Sequence, residues 1–186
     1  MFIEYKNFLD DSFCNEIIEK CSNLIEENKL TLGYNREGNS CSITDTHELK
    51  DLDKKIFEKI NNFINSKLIY HFNISNSKVS DTGYSFHRYK KNDRLFTHTD
   101  GVYDPINQYC RILSLSINLT DNENADLIFP RHNKNIKSEK GKLVGFLPHQ
   151  CYEHYMNNNS GKNRDVLVTW LIDKNFKCIL NKDDNG

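Results

Sequence analysis

The sequence predicts an α+β domain, helical in its first half and built from short strands in its second, closing as a sandwich or small barrel. Three observations lead there. Apolar residues recur at helical spacing twice before residue 70. From Tyr84 onward they alternate, or cluster in short runs between turns. The chain has 186 residues, of which 27% are charged and 37% hydrophobic, which suits one soluble globular unit.

Taken in order, Asp11 is expected to cap a first helix whose buried stripe is Cys14, Ile17, Ile18, Cys21 and Ile25. A second helix is expected over about 52–68, with Leu52, Ile56, Ile60, Phe63 and Ile64 as its stripe. The other faces of both are ordinary Lys/Glu/Asn surface, so these helices read as supports. Strands are expected at 84–89, 111–119, 127–129, 142–147 and 165–172. Within 111–119, Leu113, Leu115, Ile117 and Leu119 point one way, and Ser114, Ser116 and Asn118 the other. The small polar row either lines a tight polar cavity or forms a Ser-rich outer face. Residues 157–161 form the clearest loop, and 181–186 read as a frayed polar tail. No linker or repeat divides the chain. Residues 1–180 therefore read as one domain, helical over about 1–75 and stranded over about 76–180.

Charge and cysteine content narrow the function. Twenty-five Lys and Arg against 26 Asp and Glu leave a net charge of -1. Strong whole-chain attraction to nucleic acid or anionic lipid is not expected from that balance. No apolar run approaches the roughly 18–20 residues of a membrane span. The opening residues lack a basic segment followed by an apolar one, so no signal peptide is expected. The six cysteines form no C-x-x-C pair. They read as free thiols in a reducing, cytoplasmic compartment. Two local basic clusters, Arg88/Lys90/Lys91/Arg94 and Lys134/Lys137/Lys140/Lys142, read as solvated faces. His47, His71, His87 and His132 read as surface or half-buried residues.

The chemistry concentrates around His98-Thr99-Asp100, the only H-x-D in the chain. On a strand, residues i and i+2 share a face, so an imidazole and a carboxylate would meet at one point. A second histidine from the far end would complete a set of two His and one carboxylate, which leaves coordination positions open and suits non-haem Fe(II). His154 and His149 compete for that place, and His149 follows Pro148 in an apparent turn. Arg164 opens a strand in which Val166, Val168 and Trp170 share its parity. An inward arginine is costly unless it meets an anion. A dicarboxylic cosubstrate would supply one, since guanidinium pairs bidentately with carboxylate. Lys162 competes for this role but sits beside Gly161 in the loop.

These features together resemble the Fe(II)/2-oxoglutarate-dependent dioxygenases, in particular their prolyl 4-hydroxylase-like branch. The H-x-D is followed by 53 residues, then His154, then nine residues, then Arg164. That is similar to the family's order and spacing, and it favours His154 over His149. The strand from Arg111 resembles the family's R-x-x-T/S-x-x-x-Y-L-N. Leu127-Ile128-Phe129-Pro130 resembles its T-x-F-P, and Lys140-Gly141 with Phe146 resembles its K-G-x-x-x-x-F. Phe8-Leu9-Asp10-Asp11-Ser12-Phe13-Cys14 resembles its strand-then-helix opening. Two positions depart from the pattern. Asn118 stands where the family has tyrosine, and Asn124-Ala125-Asp126 replaces a glycine pair.

The resemblance implies a double-stranded β-helix, or jelly roll, with supporting N-terminal helices. It implies His98, Asp100 and His154 as iron ligands and catalytic residues. Arg164, Tyr89 and Asn118 would contact 2-oxoglutarate, and Arg111 the substrate. Fe(II) and 2-oxoglutarate are the implied cofactors, with ascorbate as an accessory one. The implied reaction consumes O2 and hydroxylates a protein or peptide side chain, with proline the leading candidate. Two alternatives stand beside it: an oxygenase of the same superfamily acting on a nucleic acid or small molecule, and a non-catalytic jelly-roll binding module. Nucleic-acid demethylases of the superfamily usually carry a second arginine five residues after the clamp, and position 169 here is Thr169.

Overall fold

The computed structural model describes residues 1–27, 36–68, 78–104, 106 and 108–177. His71, Cys178 and the tail at 181–186 lie outside them.

Two antiparallel sheets stack into a double-stranded β-helix. The larger contains β1 (Phe2–Tyr5), β2 (Asn39–Ser42), β3 (Val79–Asp81), β4 (Ser85–Tyr89), β6 (Tyr109–Asn118), β9 (Leu143–Phe146) and β11 (Arg164–Lys177). Its order is β1-β9-β6-β11-β4-β2, with β3 pairing further along β11. The smaller sheet has the order β5-β10-β7-β8. Its strands are β5 (Arg94–His98), β7 (Asn122–Phe129), β8 (Lys134–Ser138) and β10 (His154–Asn157).

Helices α1 (Asp11–Glu27) and α2 (Lys50–Phe63) cover the outer face of the larger sheet. Their stripes bury Cys14, Ile17 and Cys21, and Leu52, Ile56 and Ile60, against Leu113, Leu115, Ile117 and Leu119 of β6. Alternation along β6 therefore assigns its leucine row to the helices and its serine row to the space between the sheets. A second core fills that space, with Val144, Phe146 and Val166 from one sheet and Leu127, Phe129 and Met156 from the other.

Several local expectations shift. The cap of α1 is Asp10, not Asp11: its Oδ1 accepts from the Phe13 backbone N–H at 2.8 Å and from Ser12 Oγ at 2.5 Å. The α2 helix ends at Phe63 and continues as a π turn, Ile64–Leu68. The β7 and β11 strands are longer than their apolar runs, and β8 and β10 have no clear apolar alternation at all. Gly141 has φ 71, and a Cβ there would stand 2.1 Å from the Leu9 carbonyl oxygen. That close approach lets the Gly141 carbonyl accept from the Phe8 and Leu9 N–H groups, tying the entry of α1 to the barrel.

The basic clusters are not wholly solvated. Arg88 is buried and forks onto Asp165, both contacts 2.8 Å, while its Nη2 also reaches Ser22 Oγ of α1. Lys142 is buried between Glu4 at 3.0 Å and Glu139 at 3.4 Å. Asp165→Ala is expected to destabilise the fold by about 3–5 kcal/mol, because it removes the carboxylate from a buried guanidinium. The check is the midpoint of chemical denaturation against Asp165→Asn, which keeps the volume and a hydrogen-bond acceptor.

Candidate metal and anion site

Strand register brings the H-x-D to the distant histidine. β5 and β10 are antiparallel neighbours, and His98 stands directly opposite His154. Directly opposed residues share a face, and the two imidazoles are 4.3 Å apart between ring centres. Asp100 lies just beyond β5. Its Oδ1 is 3.4 Å from His98 Nε2 and 4.0 Å from His154 Nε2. One ligand atom from each residue falls within 4.8 Å of the others, close enough for the three to hold a single metal ion.

The tautomers are set by the main chain. His98 Nδ1 is 2.7 Å from the Phe96 carbonyl oxygen, and His154 Nδ1 is 3.0 Å from that of Tyr152. In each case Nδ1 donates to a carbonyl two residues upstream. Each Nε2 is thereby turned toward Asp100, which leaves it the atom through which a ligating imidazole would bind. Burial would lower His98, but the Asp100 carboxylate and the Phe96 carbonyl together outweigh this and the net shift is upward. Burial dominates at His154 and lowers it to about 4, so this ring is neutral and free to ligate. Burial would raise the Asp100 carboxyl, yet His98, His154 and the Ser114 hydroxyl together hold it well below the ordinary carboxylate range. An anionic oxygen and two imidazole nitrogens, with the remaining directions open to a cavity, form a donor set that fits Fe(II).

Arg111 braces the ligand segment. Its Nη1 donates to the Asp100 backbone carbonyl at 2.9 Å, and its Nε stands 3.5 Å from Asp104 Oδ2. Its guanidinium also lies over the Trp170 ring, 4.4 Å from the centroid. Phe129 and Phe146 pack around His154 with ring centres 5.3 and 4.8 Å away.

Arg164 opens β11 opposite Tyr89 of β4. It is 2% exposed. Its Nη2 donates to Asn118 Oδ1 at 3.1 Å, and its guanidinium carbon is 5.9 Å from the Tyr89 ring centre. Burial lowers it to about 10, so it stays cationic at neutral pH. Its Nε is buried without any hydrogen-bond partner. A donor and a charge left open in this way fit a carboxylate.

One cavity of about 280 Å³ joins the two ends, lined by His98, Asp100 and His154 and by Arg164, Tyr89 and Arg111. Ser114 and Ser116 line it too, which resolves the serine row as cavity wall. Asn118 reaches the site through Arg164. The rivals lie elsewhere. His149 is exposed and accepts from the Cys151 N–H at 3.3 Å as the cap of a short turn. Lys162 is exposed in the loop, where its carbonyl accepts from Asn158 and Ser160. Two residues of the wall escaped sequence reasoning, Arg36 and His87. His87 is buried, neither at the surface nor half-buried, and the alternation of β4 that places Tyr89 inward was the signal for it.

The sequence matches no family model and no curated protein. Solved structures match it by fold. A viral collagen prolyl hydroxylase from Paramecium bursaria chlorella virus-1, solved as a 2OG complex, is 20% identical with TM-score 0.71, covering 91% of this chain and 94% of its own. A prolyl-4-hydroxylase from Pseudomonas putida is 14% identical with TM-score 0.65, covering 92% of each chain. A Trichoplax adhaerens prolyl hydroxylase, in complex with a hypoxia-inducible-factor oxygen degradation domain peptide, is 19% identical with TM-score 0.68, covering 94% and 84%. The double-stranded β-helix of this chain is thus the fold shared by these prolyl hydroxylases.

Proposed function

We propose that this chain is a non-haem Fe(II)- and 2-oxoglutarate-dependent oxygenase, acting as one domain over residues 1–180, that hydroxylates a polypeptide side chain, with proline the leading candidate. The observation that carries this reading is one cavity joining a His-Asp-His cluster to a buried arginine whose Nε has no partner. The peptide bound to the Trichoplax structure and the prolyl hydroxylase fold support a polypeptide substrate. Among the described residues no helix is long and apolar enough to cross a membrane. The free cysteines suit a reducing, cytoplasmic setting.

In this reading His98, Asp100 and His154 hold the metal, and ascorbate serves as an accessory cofactor. When bound, iron and 2-oxoglutarate together supply activation of O2, coupled to oxidative decarboxylation to succinate and CO2. The chain positions and shields that chemistry. Arg164 takes the distal carboxylate through its free Nε, while Asn118 holds Nη2 and so fixes the plane of the fork. Tyr89 flanks the same guanidinium. Leu127, Phe146 and Val166 line the cavity and exclude water. Arg111, braced by Asp104 and Trp170, keeps Asp100 in place while presenting the proposed substrate contact.

The test is a peptide library offered with Fe(II) and 2-oxoglutarate, read as a mass gain of one oxygen together with succinate. Nucleosides and methylated oligonucleotides run alongside. Turnover of proline peptides is expected. Turnover of oligonucleotides with none of any peptide would overturn the polypeptide reading, and metal binding without succinate under any condition would leave a binding module.

A further inference from the structure

Arg36 adds a cation that neither the metal nor the cosubstrate uses. Its backbone bridges Leu95 of β5, and the next residue, Glu37, donates its N–H to the Arg94 carbonyl at 2.7 Å. That pairing aims the side chain into the cavity beside the strand that carries His98. Its Nη1 lies 2.9 and 3.1 Å from the two His87 ring nitrogens, and its Nη2 donates to Ser40 Oγ at 2.8 Å. Both partners are uncharged: Ser40 is a hydroxyl, and burial holds the His87 imidazole well below its ordinary value. The Nε of Arg36 is buried without a partner. Among the described residues no carboxylate pairs with Arg36.

The other cavity charges are matched. Arg111 faces Asp104. Asp100 belongs to the metal, and Arg164 to the distal end of 2-oxoglutarate, under the proposed function on which this inference rests. Among the described residues that line the cavity, Arg36 alone keeps an uncompensated charge, oriented by neutral groups and with its Nε free. A guanidinium enclosed by a bound polypeptide needs a counter-ion to offset its lost hydration. We propose that Arg36 is a specificity-determining residue that receives an acidic side chain of the substrate, an Asp or Glu close to the hydroxylated residue. His87 and Ser40 hold the fork in place for it.

The experiment uses peptides identical except for one position, Glu, Gln or Lys, scanned on either side of the hydroxylated residue, with kcat/KM measured for each. Wild-type protein should favour Glu over Gln by about tenfold at one position, the scale of a charge-assisted hydrogen bond, and should disfavour Lys further. Arg36→Gln should erase the preference, and Arg36→Glu should invert it toward Lys. Equal rates for the three peptides in wild-type protein would overturn the inference while leaving the proposed function intact, and this holds even where a variant fails to fold. An equal slowing of all three by Arg36→Gln would point to a backbone contact and also overturn it, as would loss of 2-oxoglutarate binding in that variant. If succinate forms but no peptide is ever hydroxylated, the polypeptide reading fails and this inference falls with it.

Discussion

Alanine at His98, Asp100 or His154 is expected to abolish metal binding and all consumption of 2-oxoglutarate, whereas His149→Ala leaves both intact. The geometry gives the reason. With three ligand atoms inside 4.8 Å, each supplies a large part of the coordination, and His149 is spent capping a turn on the surface. Titration with Mn(II), followed by electron paramagnetic resonance, reads the loss directly and needs no turnover. Undiminished binding in any triad variant would remove that residue from the ligand set. Loss in His149→Ala alone would exchange the two histidines.

The second large effect belongs to Arg164. Its removal should weaken 2-oxoglutarate binding by about 2–4 kcal/mol, the consequence of withdrawing one partner from a buried, hydrogen-bonded charge pair. Arg164→Lys should recover part of this, since an ammonium keeps the charge but not the planar fork that Asn118 orients. Lys162→Ala should change nothing measurable, because the contacts of Lys162 to the loop run through its main chain. Calorimetry on metal-loaded protein checks all three. A large loss in Lys162→Ala with none in Arg164→Ala would reverse the assignment.

Much of this arrangement could be read along the chain because strand chemistry is local. Alternation in 111–119 separated the leucines that meet the helices from the serines that meet the cavity. Parity from Arg164 to Trp170 turned the arginine inward before any contact was known. Features set by partners distant in sequence were hidden. Arg88 looks like surface until Asp165 is brought beside it, and Lys142 looks the same until Glu4 arrives from the first strand. Arg36 carries no motif. Its importance comes from a charge balance among residues of separate strands, which no window of sequence contains. The cap of α1 moved by a single residue because two adjacent aspartates, Asp10 and Asp11, compete for it and only backbone geometry decides between them.

The way the two imidazoles are held has a consequence for how this site can vary over generations. Their Nδ1 protons rest on the carbonyls of positions 96 and 152, and every amino acid brings a carbonyl. Where a carboxylate side chain orients a ligating histidine, one substitution can erase the orientation. Here the exposed Phe96 side chain can be exchanged while its imidazole keeps its aim, and Tyr152 is constrained by its packing in the inner core, not by this hydrogen bond. Inheritance of the metal centre then depends on the ligands themselves and on the pairing of two strands. Relatives whose sequences have otherwise drifted far apart could retain the same coordination geometry.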